Sequence, residues 1–157
     1  MINYIKGDAT RPVGTGHKII VHICNDIGRW GKGFVLAVSK QWKKPEQQYR
    51  EWHKESASSG SMKLGSIQCV QVEDDITVIN MIAQKGLKTV NGIPPIRYQA
   101  LMECLEKVSA YARDVPSDTV TIHMPRIGCG LAGGKWSEIE PIIQDTLSSY
   151  QVFVYDL

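Results

Sequence analysis

The fold is decided by residues 17–24, whose sequence is HKIIVHIC. β-Branched residues dominate this segment, and they follow one another without the polar alternation of a strand that has one solvated face. A dense apolar run of this length is typical of a strand that is buried on both faces. The segment therefore predicts a strand of a parallel sheet, covered by helices on its two sides.

Strand and helix patterns alternate along the rest of the chain. The remaining predicted strands are INYI (2–5), SIQCVQV (66–72), ITVINMIAQ (76–84), DTVTIHM (118–124) and QVFVYDL (151–157). The predicted helices are two within 33–56, separated near Pro45, and one each over 94–113 and 135–150, where Pro141 fits only in a first turn. This order predicts one α/β domain over residues 1–157, with a largely parallel sheet.

Composition limits the classes of function. The chain has 157 residues and a formal charge of only +2, so no specific binding of nucleic acid is expected. No apolar run is long enough to span a membrane, and the N-terminus lacks the pattern of a signal peptide, which predicts a cytoplasmic protein. The cysteines are too widely spaced for a zinc site, which predicts no metal and four buried, reduced thiols: Cys24, Cys69, Cys104 and Cys129.

Two glycine-rich segments follow predicted strands and lead into predicted helices. They are GRWGKG (28–33) and the part of HMPRIGCGLAGGKW (123–136) that contains Gly128, Gly130, Gly133 and Gly134. Ligands of parallel sheets bind at the carboxyl ends of the strands, and free N–H groups in such loops bind anions. The segments are either two tight turns or a pair of loops that hold a diphosphate, and their shared position favours the second. Neither fits the P-loop or the G-x-G-x-x-G pattern.

Four side chains near these loops are candidates for chemistry, each with a structural alternative. Asp8 can accept a hydrogen bond from an amine such as that of adenine, or form a turn. His22 can act as a general base, or be a buried core histidine. Asn25 suits the hydroxyls of a ribose. Trp30, inside a glycine loop, is expected outside the core, where it stacks on a sugar or base or covers the loop. A nucleophilic Cys129 is a weaker alternative.

Four segments together resemble the macrodomain family, whose α/β fold binds ADP-ribose: YIKGDA, VHICNDIGRWGKGF, MPRIGCGLAGGKW and VFVYDL. The resemblance is closest to the branch that contains the terminal ADP-ribose protein glycohydrolase and the ADP-ribose 1″-phosphate phosphatases. It implies a three-layer α/β/α fold with a mixed, largely parallel sheet. It also implies ADP-ribose or ADP-ribose 1″-phosphate as the ligand, ADP-ribosylated protein as a further partner, a monomer and no cofactor.

The resemblance implies a role for each position that matches the family's motifs. Residues near the adenine would be Gly7, Asp8 and Ala9, and residues near the distal ribose would be Ile23, Cys24 and Asn25. The last residue, Leu157, would contact the ligand. The two phosphate loops would be formed by Trp30, Gly31, Lys32, Gly33, Phe34 and Val35, and by Ile127, Gly128, Cys129, Gly130, Leu131, Ala132 and Gly133.

The resemblance implies a hydrolase of the phosphatase type. The glycohydrolase relatives use a lysine and an aspartate, and the matching positions hold Gln84 and Ala132. Lys85, next to Gln84, would face the other side of its strand. The phosphatase relatives have a histidine and an asparagine that match His22 and Asn25, which are therefore the predicted catalytic residues. A deacylase or glycohydrolase, and a module that binds ADP-ribose without turnover, remain the alternatives.

Overall fold

Six strands and four helices follow one another in the computed structural model, which describes all residues 1–157. The strands are β1 (Ile2–Lys6), β2 (His17–Asn25), β3 (Ile67–Glu73), β4 (Ile76–Gln84), β5 (Val120–Met124) and β6 (Gln151–Asp156). The helices are α1 (Phe34–Gln41), α2 (Lys44–Ser59), α3 (Tyr98–Arg113) and α4 (Trp136–Thr146). No helix has both the length and the apolar composition of a membrane span.

All six strands form one sheet in the order β1-β6-β5-β2-β4-β3. Every neighbouring pair is parallel except β3 and β4, which are antiparallel. The predicted mixed, largely parallel sheet is therefore confirmed. β2 lies inside the sheet and hydrogen-bonds to β4 on one side and to β5 on the other, which agrees with the apolar run at residues 17–24.

Helices cover both faces of the sheet, as the three-layer prediction requires. On one face, Ile19 and Val21 of β2 pack in a core cluster with residues of α3 and α4, including Leu101 and Ile139. On the other face, Ile20 packs in a second cluster with residues of α1 and α2. Alternate side chains of β2 thus enter the two cores, which fixes the strand between the two helix layers.

Two predicted helices are too long. α3 begins at Tyr98 rather than at residue 94, because residues 94–97 run beside the end of β4: Arg97 N–H donates to Ala83 O, and Lys85 N–H donates to Pro95 O. α4 ends at Thr146 rather than at residue 150. Pro141 lies inside α4 beyond its first turn, where it forgoes one helix hydrogen bond, so its predicted restriction to the first turn is wrong.

A buried polar contact ties β5 to β6. His123 is fully buried, and its two ring nitrogens lie 2.7 Å from Tyr155 Oη and 2.7 Å from Thr121 Oγ1. Tyr155 Oη also accepts a hydrogen bond of 2.9 Å from Val13 N–H. Burial lowers the pKa of His123 from 6.5 to about 4, so the ring is neutral at pH 7.

This histidine makes stability depend on pH. Between pH 6.5 and about 4 the ring is protonated in the unfolded chain but not in the folded one, so stability falls as the pH falls through this window. We expect His123→Gln to have a lower free energy of unfolding than the wild type at pH 7. Between pH 7 and pH 5, the free energy of unfolding of the wild type should fall by about 2 kcal/mol more than that of the variant. Urea unfolding at the two pH values measures this. An equal loss in both proteins would contradict the assignment.

Candidate functional site

The carboxyl ends of the five parallel strands all lie at one edge of the sheet. Each strand brings one candidate segment to this edge, in the spatial order of the strands. They are Asp8 after β1, Leu157 after β6, the second glycine loop (residues 125–135) after β5, the first glycine loop (residues 26–33) after β2, and Gln84 at the end of β4. Candidate residues that are far apart in the sequence are therefore neighbours in the fold.

A cleft of about 200 Å³ lies between the two glycine loops. The loops approach closely, since a Cβ atom built on Gly33 would lie 4.0 Å from Leu131 Cδ1. Many predicted site residues line the cleft: His22, Ile23, Lys32, Gly33, Phe34, Val35, Ile127, Gly128, Gly130, Leu131 and Ala132. Three further lining residues, Gln84, Pro125 and Arg126, were not among the predicted site residues.

The charge of the cleft is one-sided. Lys32 and Arg126 belong to its wall, and no aspartate or glutamate does. Glycine loops at strand ends add free backbone N–H groups, whose partial positive charge also favours an anion. A nearly neutral protein thus has a cationic cleft, and the cleft suits a phosphorylated or otherwise anionic ligand.

The glycines of the second loop fall into two groups. A Cβ atom on Gly128 would lie 2.4 Å from Ile96 Cδ1, one on Gly133 would lie 2.8 Å from Pro94, and one on Gly134 would lie 2.5 Å from the carbonyl oxygen of Gly128. These three positions are close-packed against the chain itself. Gly130 has no atom within 4 Å of the corresponding point and lines the cleft, so it alone leaves room for a ligand to approach the backbone.

This grouping predicts that the same substitution affects stability differently at Gly134 and at Gly130. Gly134→Ala brings a methyl group against a backbone carbonyl and should lower the free energy of unfolding by about 2 kcal/mol. Gly130→Ala meets open space at a backbone conformation that alanine adopts, so stability should stay within about 1 kcal/mol of the wild type. Chemical denaturation of the two variants measures the difference, and equal losses would contradict the packing.

Arg126 is oriented at the cleft by contacts with three elements. Its guanidinium makes two hydrogen bonds of 2.9 Å to the carboxylate of Asp156 and lies 4.8 Å from the ring centre of Tyr4 and 5.0 Å from that of Trp136. These contacts come from β1, β6 and α4, and the ion pair lowers the pKa of Asp156. The sequence feature that could have identified Arg126 is a cation just after a buried strand, within MPRIG.

His22 lies at the base of the cleft with 1% of its surface exposed. Its Nε2 is 2.6 Å from Asn80 Oδ1. The Asn80 amide is oriented by its Nδ2, which donates to Pro45 O and Gln68 Oε1, so Nε2 carries the hydrogen and Nδ1 the lone pair. Burial lowers the pKa of His22 to about 4, and the hydrogen bond to Asn80 offsets only part of this. The ring is therefore neutral at pH 7.

The Asn25 side chain makes hydrogen bonds within its own loop and to α2. Its Oδ1 accepts hydrogen bonds from Ile27 N–H, Arg29 N–H and Tyr49 Oη–H, and its Nδ2 donates to Arg29 O. Only 6% of the residue is exposed, and it does not line the cleft. The side chain uses these hydrogen bonds to shape the first glycine loop, and its catalytic role stays a prediction.

The expectation that Trp30 lies outside the core is wrong. The indole is 5% exposed, packs edge-on against the ring of His22 and donates a hydrogen bond of 2.7 Å to Ser39 Oγ. It is buried because α1 and α2 close over the first glycine loop. Cys24, 3% exposed, belongs to the same core cluster and does not line the cleft either, so the ligand contacts of both residues stay predictions.

Gln84 and Ala132, which the resemblance matches to the lysine and aspartate of the glycohydrolase relatives, both belong to the cleft wall. Gln84 Nε2 donates a hydrogen bond of 2.9 Å to Gly86 O. Lys85 lines a separate groove, as expected from the alternation of strand side chains. The cleft therefore offers neither an amine nor a carboxylate at these two positions.

The other predicted contacts lie outside the cleft wall and stay predictions: Gly7, Asp8, Ala9, Gly31, Cys129, Gly133 and Leu157. Asp8 does form the turn weighed as its alternative, since its Oδ1 accepts hydrogen bonds from Thr10 N–H and Thr10 Oγ1–H. The wall of the cleft is continuous with this region through the pair Arg126–Asp156, because Gly7 N–H donates to Asp156 O.

All four cysteines are free thiols, but not all are buried. Cys69 is exposed on β3 and Cys129 is half-buried, so the prediction of four buried thiols is wrong for these two. Burial raises the pKa of Cys129, which disfavours the thiolate that a nucleophile needs. No three His, Cys, Asp or Glu side chains lie close enough together to form a metal site.

Comparisons with known proteins assign the family. No family model matches the chain. An ADP-ribose 1″-phosphate phosphatase of Candida albicans is 30% identical over 149 residues, which are 92% of this chain and 93% of the relative. A solved protein of unknown function from Bacteroides thetaiotaomicron is 52% identical with a TM-score of 0.93, over 100% of this chain and 98% of that one. A macrodomain protein from Streptomyces coelicolor is 46% identical with a TM-score of 0.87, over 100% and 99%. This chain belongs to the macrodomain family.

Proposed function

We propose that the protein binds ADP-ribose derivatives in the cleft and hydrolyses the phosphomonoester of ADP-ribose 1″-phosphate. The observation that carries this proposal is the cleft between two glycine loops, with Lys32 and Arg126 in its wall and no carboxylate. The name of the Candida albicans relative supports the same substrate. The ligand is anionic at its diphosphate and again at its monoester, which matches the one-sided charge of the cleft.

The size of the cleft supports a divided arrangement of the ligand. Its volume of about 200 Å³ is below the roughly 300–1,000 Å³ of sites that enclose a drug-sized ligand. The cleft would hold the diphosphate and the distal ribose, and the adenine would lie outside it, near Asp8 and Leu157. Arg126 joins the two parts, since it lines the cleft while paired to Asp156, whose backbone oxygen accepts from Gly7 N–H.

In the proposed reaction, water attacks the phosphorus of the monoester and its proton passes to Nδ1 of His22. The bond between phosphorus and the ribose oxygen breaks, and the ribose oxygen takes a proton from solvent and leaves as a hydroxyl. His22 returns its proton to solvent, so the products are ADP-ribose and hydrogen phosphate. Asn80 holds the ring through Nε2, so Nδ1 carries the lone pair, and Cys24 Sγ lies 4.0 Å from Nδ1. Lys32 and the N–H groups of the two loops would stabilise the charge of the phosphate in the transition state.

Phosphorus NMR of ADP-ribose 1″-phosphate tests the activity directly. We expect the monoester signal to disappear while the diphosphate signals persist. His22→Gln keeps an amide that can hydrogen-bond to Asn80 but removes the basic nitrogen. It should lower kcat by about 100-fold or more and leave the affinity for ADP-ribose within a few-fold of the wild type. Equal loss of turnover and binding would mean that His22 only supports the cleft.

Gly130→Leu tests the position of the ligand. The leucine side chain would project into space that the ligand needs, so the affinity for ADP-ribose should fall by about 100-fold. Gly130→Ala and Ala110→Leu, the second on the exposed face of α3, serve as controls for folding and for adding bulk elsewhere. Calorimetry measures the affinities, and unchanged binding by Gly130→Leu would contradict the assignment of the loop.

The second candidate function is a module that binds ADP-ribose without turnover. It is favoured by Gln84 and Ala132 in the wall of the cleft and by the near-complete burial of His22. The same NMR experiment separates the two functions, because a pure binder shifts or broadens the diphosphate signals and leaves the monoester intact.

A further inference from the structure

A second groove, of about 590 Å³, lies beside the cleft. Its wall is formed by residues 85–97 and by the start of the first glycine loop, and we call it the 85–97 groove. It shares an edge with the cleft, because Gln84 lines the cleft while its Nε2 donates a hydrogen bond to Gly86 O in the groove. None of the residues assigned to the proposed function lies in this groove.

The wall of the 85–97 groove is ordered by hydrogen bonds. Val90 and Ile93 exchange two backbone hydrogen bonds of 3.0 Å around Asn91 and Gly92, whose φ angles are +53° and +77°. This is a two-residue hairpin turn with both central residues in the left-handed region, the geometry that an Asn-Gly pair favours. Gly86 N–H donates to Asp26 Oδ1, which attaches the start of residues 85–97 to the first glycine loop.

This wall exposes apolar side chains to solvent. Ile27 is 42% exposed, Leu87 50%, Val90 61% and Ile93 56%. They come from two separate segments and line the same groove. Single exposed apolar residues are ordinary, but several that converge in one concave surface mark an interaction site.

Charge decides what kind of partner fits. Lys85, Lys88 and Arg97 line the groove, and Asp26 is its only carboxylate, with one oxygen already bonded to Gly86 N–H. We propose that the 85–97 groove binds an acidic polypeptide segment that carries apolar side chains. The hairpin and Leu87 would contact the apolar side chains, and the three cations would pair with the carboxylates.

The position of the groove gives this partner a relation to the ligand. Across the sheet edge the groove lies beyond β4, on the side of the cleft opposite to Asp8 and Leu157. If the adenine lies near Asp8, the distal ribose lies next to the 85–97 groove. A polypeptide segment that is attached to the distal ribose can then lie in the groove. This step rests on the proposed function, whereas the binding of the segment itself does not.

The test is a titration of the ¹⁵N-labelled full chain with an eleven-residue peptide of alternating glutamate and leucine, followed by amide chemical shifts. We expect shifts at residues 26–27 and 85–93, and the same affinity in the presence of saturating ADP-ribose. Matched peptides of alternating lysine and leucine, and of glutamate and serine, should bind at least about tenfold more weakly.

Two double variants separate the contributions of charge and apolar contact. Lys85→Glu with Lys88→Glu should weaken the acidic peptide about tenfold and make the lysine–leucine peptide the better ligand. Val90→Thr with Ile93→Thr keeps two β-branched residues in the hairpin and should weaken the glutamate–leucine peptide at least fivefold, with little effect on the serine peptide. Both variants should retain the wild-type affinity for ADP-ribose.

Several outcomes would overturn the proposal. Shifts confined to residues 125–135, or displacement of the peptide by ADP-ribose, would place the acidic peptide in the cleft. Concentration-dependent shifts without peptide would make the groove an interface between copies, and tighter binding of an oligonucleotide would make the partner a nucleic acid. Failure of the phosphatase assay with the peptide results intact would overturn only the proposed function.

Discussion

The parallel pairing of β2 with β4 and β5 is the constraint on which the rest of the structure depends. Alternate side chains of this buried strand enter two separate cores, so β2 cannot slip by one residue without exchanging its two faces. Since the pairing is parallel on both sides, the loops after β2 and β5 leave the sheet at the same edge. The cleft between the glycine loops is thus a direct consequence of the strand order.

The two glycine loops are shaped by the protein before any ligand arrives. In the first loop, the amide of Asn25 makes four hydrogen bonds, one of them from Tyr49 of α2. In the second, Gly128 and Gly134 pack against each other and against core isoleucines. A loop that is already ordered loses little conformational entropy on binding, so more of the interaction energy remains for affinity.

The sequence was sufficient for the strands, the parallel sheet and most of the cleft wall, because hydrophobic periodicity and glycine position are local signals. It was insufficient where a distant element decides the environment. Trp30 looks like a loop residue until α1 and α2 cover it, and Asn25 looks available until Tyr49 binds it. The start of α3 depends on backbone pairing with the end of β4, and the orientation of Arg126 depends on β1, β6 and α4. None of these contacts leaves a local pattern.

Burial of His22 relates the two candidate functions to each other. A ring with a pKa of about 4 is unprotonated throughout the neutral range, because burial disfavours its charged form. It is therefore always ready to accept a proton, but it is a weak base, and weak bases give slow proton transfer. The cationic wall that favours a phosphate is unaffected by this weakness. In the proposed function, the cationic wall therefore favours binding of the ligand, whereas the weak basicity of the buried His22 limits the rate of hydrolysis.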